Sequence, residues 1–94
     1  MIIQDYEKQH YLTLATVAIT AHLSNEPIPE EIITQAQNNP TSDEKAGVFV
    51  TLKKHHQLRG CIGCITSTEP LLTTIPNFAI KAAIDDPRFQ AVTI

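Results

Sequence analysis

The segment 47–65 constrains the fold most, because it reads as two β-strands joined by a short polar turn. β-Branched and aromatic residues predict a first strand over residues 48–53. A second apolar run over residues 58–65 predicts the returning strand, and the polar residues 54–57 predict the turn between them. We therefore expect this segment to form a β-hairpin.

The register of this hairpin decides which way each side chain points, because a slip by one residue exchanges the two faces. A four-residue loop would pair Cys61 with the residue before Thr51 in the first strand. We favour a three-residue loop, which places Cys61 opposite Thr51 and Arg59 opposite Lys53. Such a loop needs a residue in the left-handed region, and His56 is the candidate because histidine tolerates that region better than most residues.

The second strand carries the hexapeptide Leu58-Arg59-Gly60-Cys61-Ile62-Gly63. Residues two apart on a strand project from the same face, so Arg59 and Cys61 are expected to lie side by side. The two glycines leave the backbone bare, as occurs where a ligand or another segment approaches closely. These residues are the candidates for a functional site.

The N-terminal half is predicted to be a helix followed by a polar connector. Apolar residues at three- and four-residue spacing predict a helix over 5–23, with Asp5 as its N-cap. The connector covers 24–46, and Pro29 at a first helical position predicts a short helix over 30–37 within it.

The C-terminal segment is predicted to be a second long helix and a turn. The helix covers 69–85, with Thr68 as its cap, and Pro76 is expected to kink or restart it. Residues 86–94 are expected to form a turn at Asp-Pro-Arg-Phe and then the start of a strand.

Composition narrows the classes of partner and compartment. The chain of 94 residues has a formal net charge of −3. Residues 48–94 carry five basic and three acidic side chains, too few positive charges for a nucleic-acid partner. With no leader pattern and no run of some 18 apolar residues, we expect a cytoplasmic protein, or a nuclear one in a eukaryote, without a membrane partner. Both cysteines are then expected to be free thiols.

Several segments together resemble the AMMECR1 domain family. They are Tyr11-Leu12-Thr13-Leu14-Ala15, the strand 47–54, the hexapeptide 58–63, Ala82-Ala83, Asp86-Pro87-Arg88-Phe89 and Val92-Thr93. The resemblance implies a two-lobed α+β domain, of which this chain would be the N-terminal half. Such a half exposes strand edges, so we expect self-association or pairing with a C-terminal half. Three residues depart from the family pattern: His56 replaces glycine, Cys64 replaces threonine or serine, and Pro76 interrupts a helix.

Two functions of different classes are consistent with these residues. The first is an enzyme, or an enzyme component of a Memo-like and radical-SAM-associated system, which uses Cys61 as nucleophile and Arg59 as anion clamp. The second is a non-catalytic binding or adaptor module in which the hexapeptide forms a recognition groove or a lobe junction. The candidate binding residues are Leu58, Gly60, Ile62, Gly63 and Arg88. No cofactor is identified.

The cysteines and arginines also have structural interpretations. Cys61 can be a small packed residue at the junction of two lobes. Cys61 and Cys64 lie three apart on a strand and therefore point to opposite faces, which disfavours both a redox pair and a metal site. Arg59 can bind a carboxylate or phosphate, or it can pair with Asp85 or Asp86. Arg88 has the same two interpretations.

Overall fold

A computed structural model describes residues 3–92, and the order of its elements is helix, helix, hairpin, helix. The elements are α1 (Asp5–Leu23), α2 (Glu30–Gln37), β1 (Val48–Lys54), β2 (Gln57–Cys64) and α3 (Leu71–Ile84). Helix α3 is the central element, since it packs against both strands and against α1. Within the described residues, α1 does not pack directly on β1. This arrangement confirms the predicted α+β fold.

Helix α1 has the predicted bounds but a different N-cap. Gln4 is the cap residue, and its backbone N–H donates to the Glu7 carboxylate over 2.7 Å. Asp5 is exposed in the first turn, so the predicted cap was wrong by one residue. The helix ends at Leu23 with Ser24 as its C-cap, and Asn25 follows with a φ of 54°.

The apolar residues of α1 face two different parts of the protein. Its buried apolar residues are Tyr11, Leu14, Ala18 and Ala21. The core cluster joins two of them to α2 and α3 through Ala36 and Leu71. Three other apolar residues, Leu12, Ala15 and Ile19, line clefts on the side of β1, and Leu12 is 62% exposed. Within residues 3–92, Leu12 is therefore left largely uncovered, whereas Ala15 and Ile19 are half-buried.

A buried polar cluster holds α1 against the connector. Glu7 is 1% exposed, and its carboxylate accepts hydrogen bonds from the Thr41 N–H at 3.1 Å and the Thr41 hydroxyl at 3.0 Å. The Tyr11 and Thr41 hydroxyls lie 2.6 Å apart, and Asn39 links the Glu7 carbonyl to His10. The bonds from the Gln4 and Thr41 N–H groups hold the pKa of Glu7 below its usual range, despite the opposing effect of burial.

The hairpin turn is tighter than the three-residue loop predicted from the sequence. Lys54 pairs with Gln57, which leaves His55 and His56 as a two-residue turn. Their φ angles are 52° and 64°. Two successive residues with positive φ are typical of a type I′ turn, whose twist matches that of the flanking strands. The prediction for His56 is confirmed, whereas the strain at His55 was not expected.

The register of the hexapeptide agrees with the prediction at Cys61 and departs from it at Arg59. Cys61 lies opposite Thr51, as predicted. A β-bulge between Leu52 and Lys53 then shifts the register, so that Lys53 faces Leu58. The predicted pairing of Arg59 with Lys53 was therefore wrong, because Arg59 is the extra residue of the bulge.

Helix α3 runs from Leu71 to Ile84 and continues through Pro76 without a restart. Its N-cap is Pro70, so Thr68 does not cap it. After the helix, residues 86–89 form the predicted turn. The predicted strand is not formed at residues 91–92, and its last two positions lie outside the described residues.

Candidate functional site

The most highly connected side chain near the hexapeptide is Asp86, which lies just beyond the end of α3 and is 5% exposed. Its Oδ2 accepts the Cys61 N–H at 3.0 Å and the Arg88 Nη2 at 2.8 Å. Its Oδ1 accepts the Arg88 Nε at 3.1 Å and the Arg88 backbone N–H at 3.0 Å. Both carboxylate oxygens are therefore engaged, one of them by the hexapeptide itself.

These contacts fix the charges of the pair. The Arg88 guanidinium, followed by the Cys61 N–H, holds the pKa of Asp86 well below its usual range. The same ion pair raises the pKa of Arg88, and the neighbouring Cys61 contributes a smaller effect in the same direction. Asp86 is therefore an anion and Arg88 a cation across the physiological pH range.

The Asp86–Arg88 pair covers the outer edge of β2 at Cys61. The Cys61 Sγ lies 3.4 Å from the Thr51 Oγ1, as expected for a facing pair without backbone hydrogen bonds between the strands. In such a pair the N–H and C=O groups point away from the partner strand. Asp86 accepts this N–H, and the Arg88 Nη2 donates to the Cys61 carbonyl at 3.4 Å. The two side chains thus take the place of a neighbouring strand.

Gly60 provides the closest contact between the hexapeptide and α3. It is buried, and a Cβ added there would overlap the carbonyl oxygen of Ala82. Its φ is not positive, so the backbone conformation alone does not require glycine. A side chain is therefore excluded by the approach of α3, as expected for a bare backbone next to another segment.

The Cys61 thiol is half-buried and free, and its polar neighbour is the Thr51 hydroxyl. His55 and His56 lie at the hairpin tip, six and five residues from Cys61, so neither forms a thiol–imidazole pair with it. Within residues 3–92, no group of three or more His, Cys, Asp or Glu side chains could hold a metal ion.

Arg59 does not lie beside Cys61, contrary to expectation. It lines a separate cleft with Leu52, whereas Cys61 contacts Thr51, the next residue on the opposite face of β1. The bulge breaks the alternation that would have kept Arg59 and Cys61 together. Asp86 is paired with Arg88 instead, so the structure does not show the alternative ion pair with Arg59.

A second cleft lies between α1 and β1, and we name it the β1 groove. It has a volume of about 310 Å³ and is lined by Tyr11, Leu12, Ala15, Val48, Phe49, Val50, Thr51 and Ile75. None of these side chains is charged, and Phe49 is 67% exposed. The groove runs along the edge of β1 that has no neighbouring strand among the described residues.

The remaining candidate residues of the hexapeptide take different positions. Leu58 is 41% exposed at the start of β2. Ile62 lies opposite Val50, and Gly63 lies opposite Phe49, whose ring an added Cβ would overlap. Gly63 therefore gives the exposed Phe49 ring its space.

Sequence reasoning did not identify Asp86 as the anchor of the hexapeptide. The signal was present, because an aspartate before proline commonly accepts a hydrogen bond from the backbone two residues on. Asp86 makes that bond with Arg88. The long-range bond to Cys61 has no comparable local signal.

The sequence of this chain is similar to a family model and to known proteins. The family model described as AMMECR1 matches residues 12–94. A protein from Methanosarcina barkeri is 40% identical over 91 residues, which cover 97% of this chain and 45% of that protein. A protein from Clostridium acetobutylicum is 41% identical over 90 residues, which cover 92% of this chain and 18% of that protein.

The fold is also present in a solved structure. The crystal structure of an uncharacterized protein from Pyrococcus horikoshii matches with a TM-score of 0.82 at 37% identity. The match covers 97% of this chain and 46% of that one. The chain thus spans less than half the length of these relatives. In residues 3–92, no helix is long and apolar enough to cross a membrane.

Proposed function

We propose that this chain, which belongs to the AMMECR1 family, is a non-catalytic binding module whose hairpin forms a junction with a further extended segment. The observation that carries this proposal is the unpartnered edge of β1 beside an uncharged groove. An open strand edge supplies backbone hydrogen bonds, and an adjacent apolar cleft supplies burial.

The geometry of the facing pair Thr51–Cys61 indicates which backbone groups bind the segment. The Cys61 N–H points away from β1, toward Asp86, so the Thr51 N–H and C=O point away from β2, toward the open edge of β1. Phe49 lies two residues away and presents its backbone in the same direction. Among residues 3–92 no other strand pairs with these groups, so we expect them to pair with one added strand.

The two edges of the hairpin differ in a way that directs this pairing. The β2 edge is occupied at Cys61 by the Asp86–Arg88 pair. The β1 edge is flanked by Leu12 and Ala15 of α1, and Leu12 is largely exposed there. Strand addition is therefore favoured at β1, where it would also bury apolar surface.

We propose that the β1 groove binds a segment from the part of the family domain that lies outside this chain. The relatives from Methanosarcina barkeri and Pyrococcus horikoshii are more than twice as long as the region that this chain matches. That remainder can lie on the same polypeptide or on a separate one. In this proposal the junction lies at the β1 edge of the hairpin, whereas the hexapeptide on β2 supports it from behind, in a position that Asp86 fixes.

The test supplies the missing part in trans. The isotope-labelled protein is mixed with the portion of the Methanosarcina barkeri relative that lies outside the matched region, and binding is followed by amide NMR. We expect a stable complex in which the Phe49 and Thr51 amides become protected from exchange. Phe49→Asp should abolish the complex, because it places a charge in the uncharged groove.

The matched control is Tyr6→Asp. Tyr6 is another exposed aromatic residue, with 53% of its surface accessible, and it does not line the groove. This variant should bind like the original protein. Equal binding by the two variants would refute the groove as the junction. Protection of Thr51 through dimerisation of this chain alone would identify a second copy as the occupant and overturn our choice.

An enzymatic role for Cys61 is the second candidate, and one observation favours it. The thiol is only half-buried and lies beside the Thr51 hydroxyl, with the Arg88 guanidinium bonded to the carbonyl of the same residue. This candidate predicts that Cys61 reacts with iodoacetamide much faster than Cys64, measured by mass spectrometry of the C61S and C64S variants. Equal slow rates would exclude it. Association with Memo-like or radical-SAM proteins stays a prediction from the resemblance.

A further inference from the structure

A cleft at the tip of the hairpin collects three of the cationic side chains of this chain. It has a volume of about 350 Å³ and is lined by Ile19, Leu52, Lys53, Lys54, Arg59 and Val92. We name it the basic cleft. It shares no lining residue with the β1 groove, so it is a separate feature of the surface between α1 and the hairpin.

The charge of this cleft is not neutralised from within the described part of the chain. None of its lining residues is acidic. In residues 3–92 the ion pairs are Lys8–Asp5 and Arg88–Asp86, and neither involves a residue of the cleft. Lys53, Lys54 and Arg59 all line this concavity, so their like charges repel one another, and an anion bound there relieves that repulsion.

The backbone places Arg59 at this cleft through the bulge of the hexapeptide. In a regular strand Arg59 would share a face with Cys61, and the bulge re-aims it toward Leu52 and the cleft. The turn beside it holds His55 and His56 at positive φ, a conformation that is costly for residues other than glycine. Bulges and strained turns of this kind cluster at functional sites.

The walls of the cleft define the rest of the ligand. Ile19, Leu52 and Val92 form an apolar surface next to the cationic side chains. The volume lies near the lower limit of small-molecule sites, which span ~300–1,000 Å³. A ligand that satisfies both surfaces is small and carries an acidic head on a short apolar body.

We infer that the basic cleft binds a small organic anion, a carboxylate or phosphate monoester with a short alkyl or aryl group. The planar guanidinium of Arg59 matches the two oxygens of such a head group, and Lys53 and Lys54 add point charges. The apolar body lies against Ile19 and Leu52. The site is independent of the junction proposed above, so either one can fail without the other.

The test is a titration of the isotope-labelled protein with hexanoate and with hexyl phosphate, followed by amide NMR at low salt. We expect saturable shifts at residues 52–54 and 59 that weaken as salt is added. Hexanol and inorganic phosphate are the matched probes for the apolar body and the anionic head. Each should bind more weakly than the combined molecule.

Arg59→Gln should weaken binding of the better anion by about tenfold or more, the loss typical of a charge-assisted hydrogen bond. Lys45→Gln removes a cation that does not line the cleft and should leave binding unchanged. A thermal melt confirms that both variants fold. Absence of saturable shifts, or equal weakening by both substitutions, would overturn the proposal.

Discussion

Replacing Gly60 by alanine measures how tightly the hexapeptide is packed against α3. In most strands this change is favourable, because glycine costs roughly 0.5–1 kcal/mol relative to alanine through backbone entropy. Gly60 has an ordinary φ, so that gain would apply here if the site had room. The sign of the change in stability therefore shows whether the site has room for a Cβ atom.

The structure predicts that Gly60→Ala destabilises the protein. An added Cβ would overlap the Ala82 carbonyl oxygen and lie 3.1 Å from its carbonyl carbon, whereas ordinary contacts begin at 3.4 Å. Both atoms belong to the backbone of α3, so they cannot rotate away as a side chain could. Forcing an extra carbon into such a site costs about 1–3 kcal/mol. After the entropic gain is subtracted, we expect a net loss of about 0.5–2 kcal/mol.

The assay is thermal unfolding followed by circular dichroism, with urea unfolding as a second measurement. For a domain of this size, a loss of 1 kcal/mol lowers the Tm by about 4–8 °C. Cys61→Ala is the matched control, because it changes the adjacent residue, whose thiol lies beside the Thr51 hydroxyl on the facing strand. An unchanged or raised Tm for Gly60→Ala would refute the close approach of the hexapeptide to α3.

Three further predictions concern the stability of the fold. The pKa of Asp86 is depressed in the folded protein, so the stability that its charged form contributes is present above the unfolded pKa near 3.9 and is lost as pH falls below it. Asp86→Asn should therefore lower the stability at pH 7 and make stability in urea melts depend less on pH between about pH 5 and pH 2. Tyr11→Phe removes the bond to Thr41 and should cost about 0.5–1.5 kcal/mol, and an unchanged Tm would contradict the buried cluster. His56→Gly relieves a φ of 64° and should raise stability by a few tenths to about 1 kcal/mol in the same assay, whereas a loss would show that His56 makes a favourable contact.

The parts of the fold that were predicted correctly are those set by local sequence. The bounds of α1 follow from apolar spacing, and Pro29 marks the start of α2, although it is the N-cap of that helix and not its first helical residue. The facing pair of Cys61 and Thr51 was predicted correctly, but from a three-residue loop; the observed two-residue turn reaches the same pair because the bulge at Arg59 adds one residue. Each of these signals lies within a few residues of the feature that it specifies.

The parts that were missed depend on contacts between distant segments. Glu7 looks like an exposed helical glutamate, and only the connector, folded back through Thr41, makes it buried. Arg59 was placed beside Cys61 because a bulge has no reliable sequence signal, and one extra residue moves its side chain to another cleft. Asp86 was considered as a partner for Arg59, yet Arg88 is nearer in the chain and also reaches Cys61.

The most direct test of the account compares the exchange rates of two amides that face each other across the hairpin. In the protein alone, the Cys61 N–H should be protected by its bond to Asp86, and the Thr51 N–H should exchange rapidly from the open edge of β1. Addition of the missing part of the domain should slow exchange at Thr51 and leave Cys61 unchanged. Rapid exchange at Cys61, or protection of Thr51 in the monomer, would contradict the proposal that β2 is covered and β1 is the edge that binds.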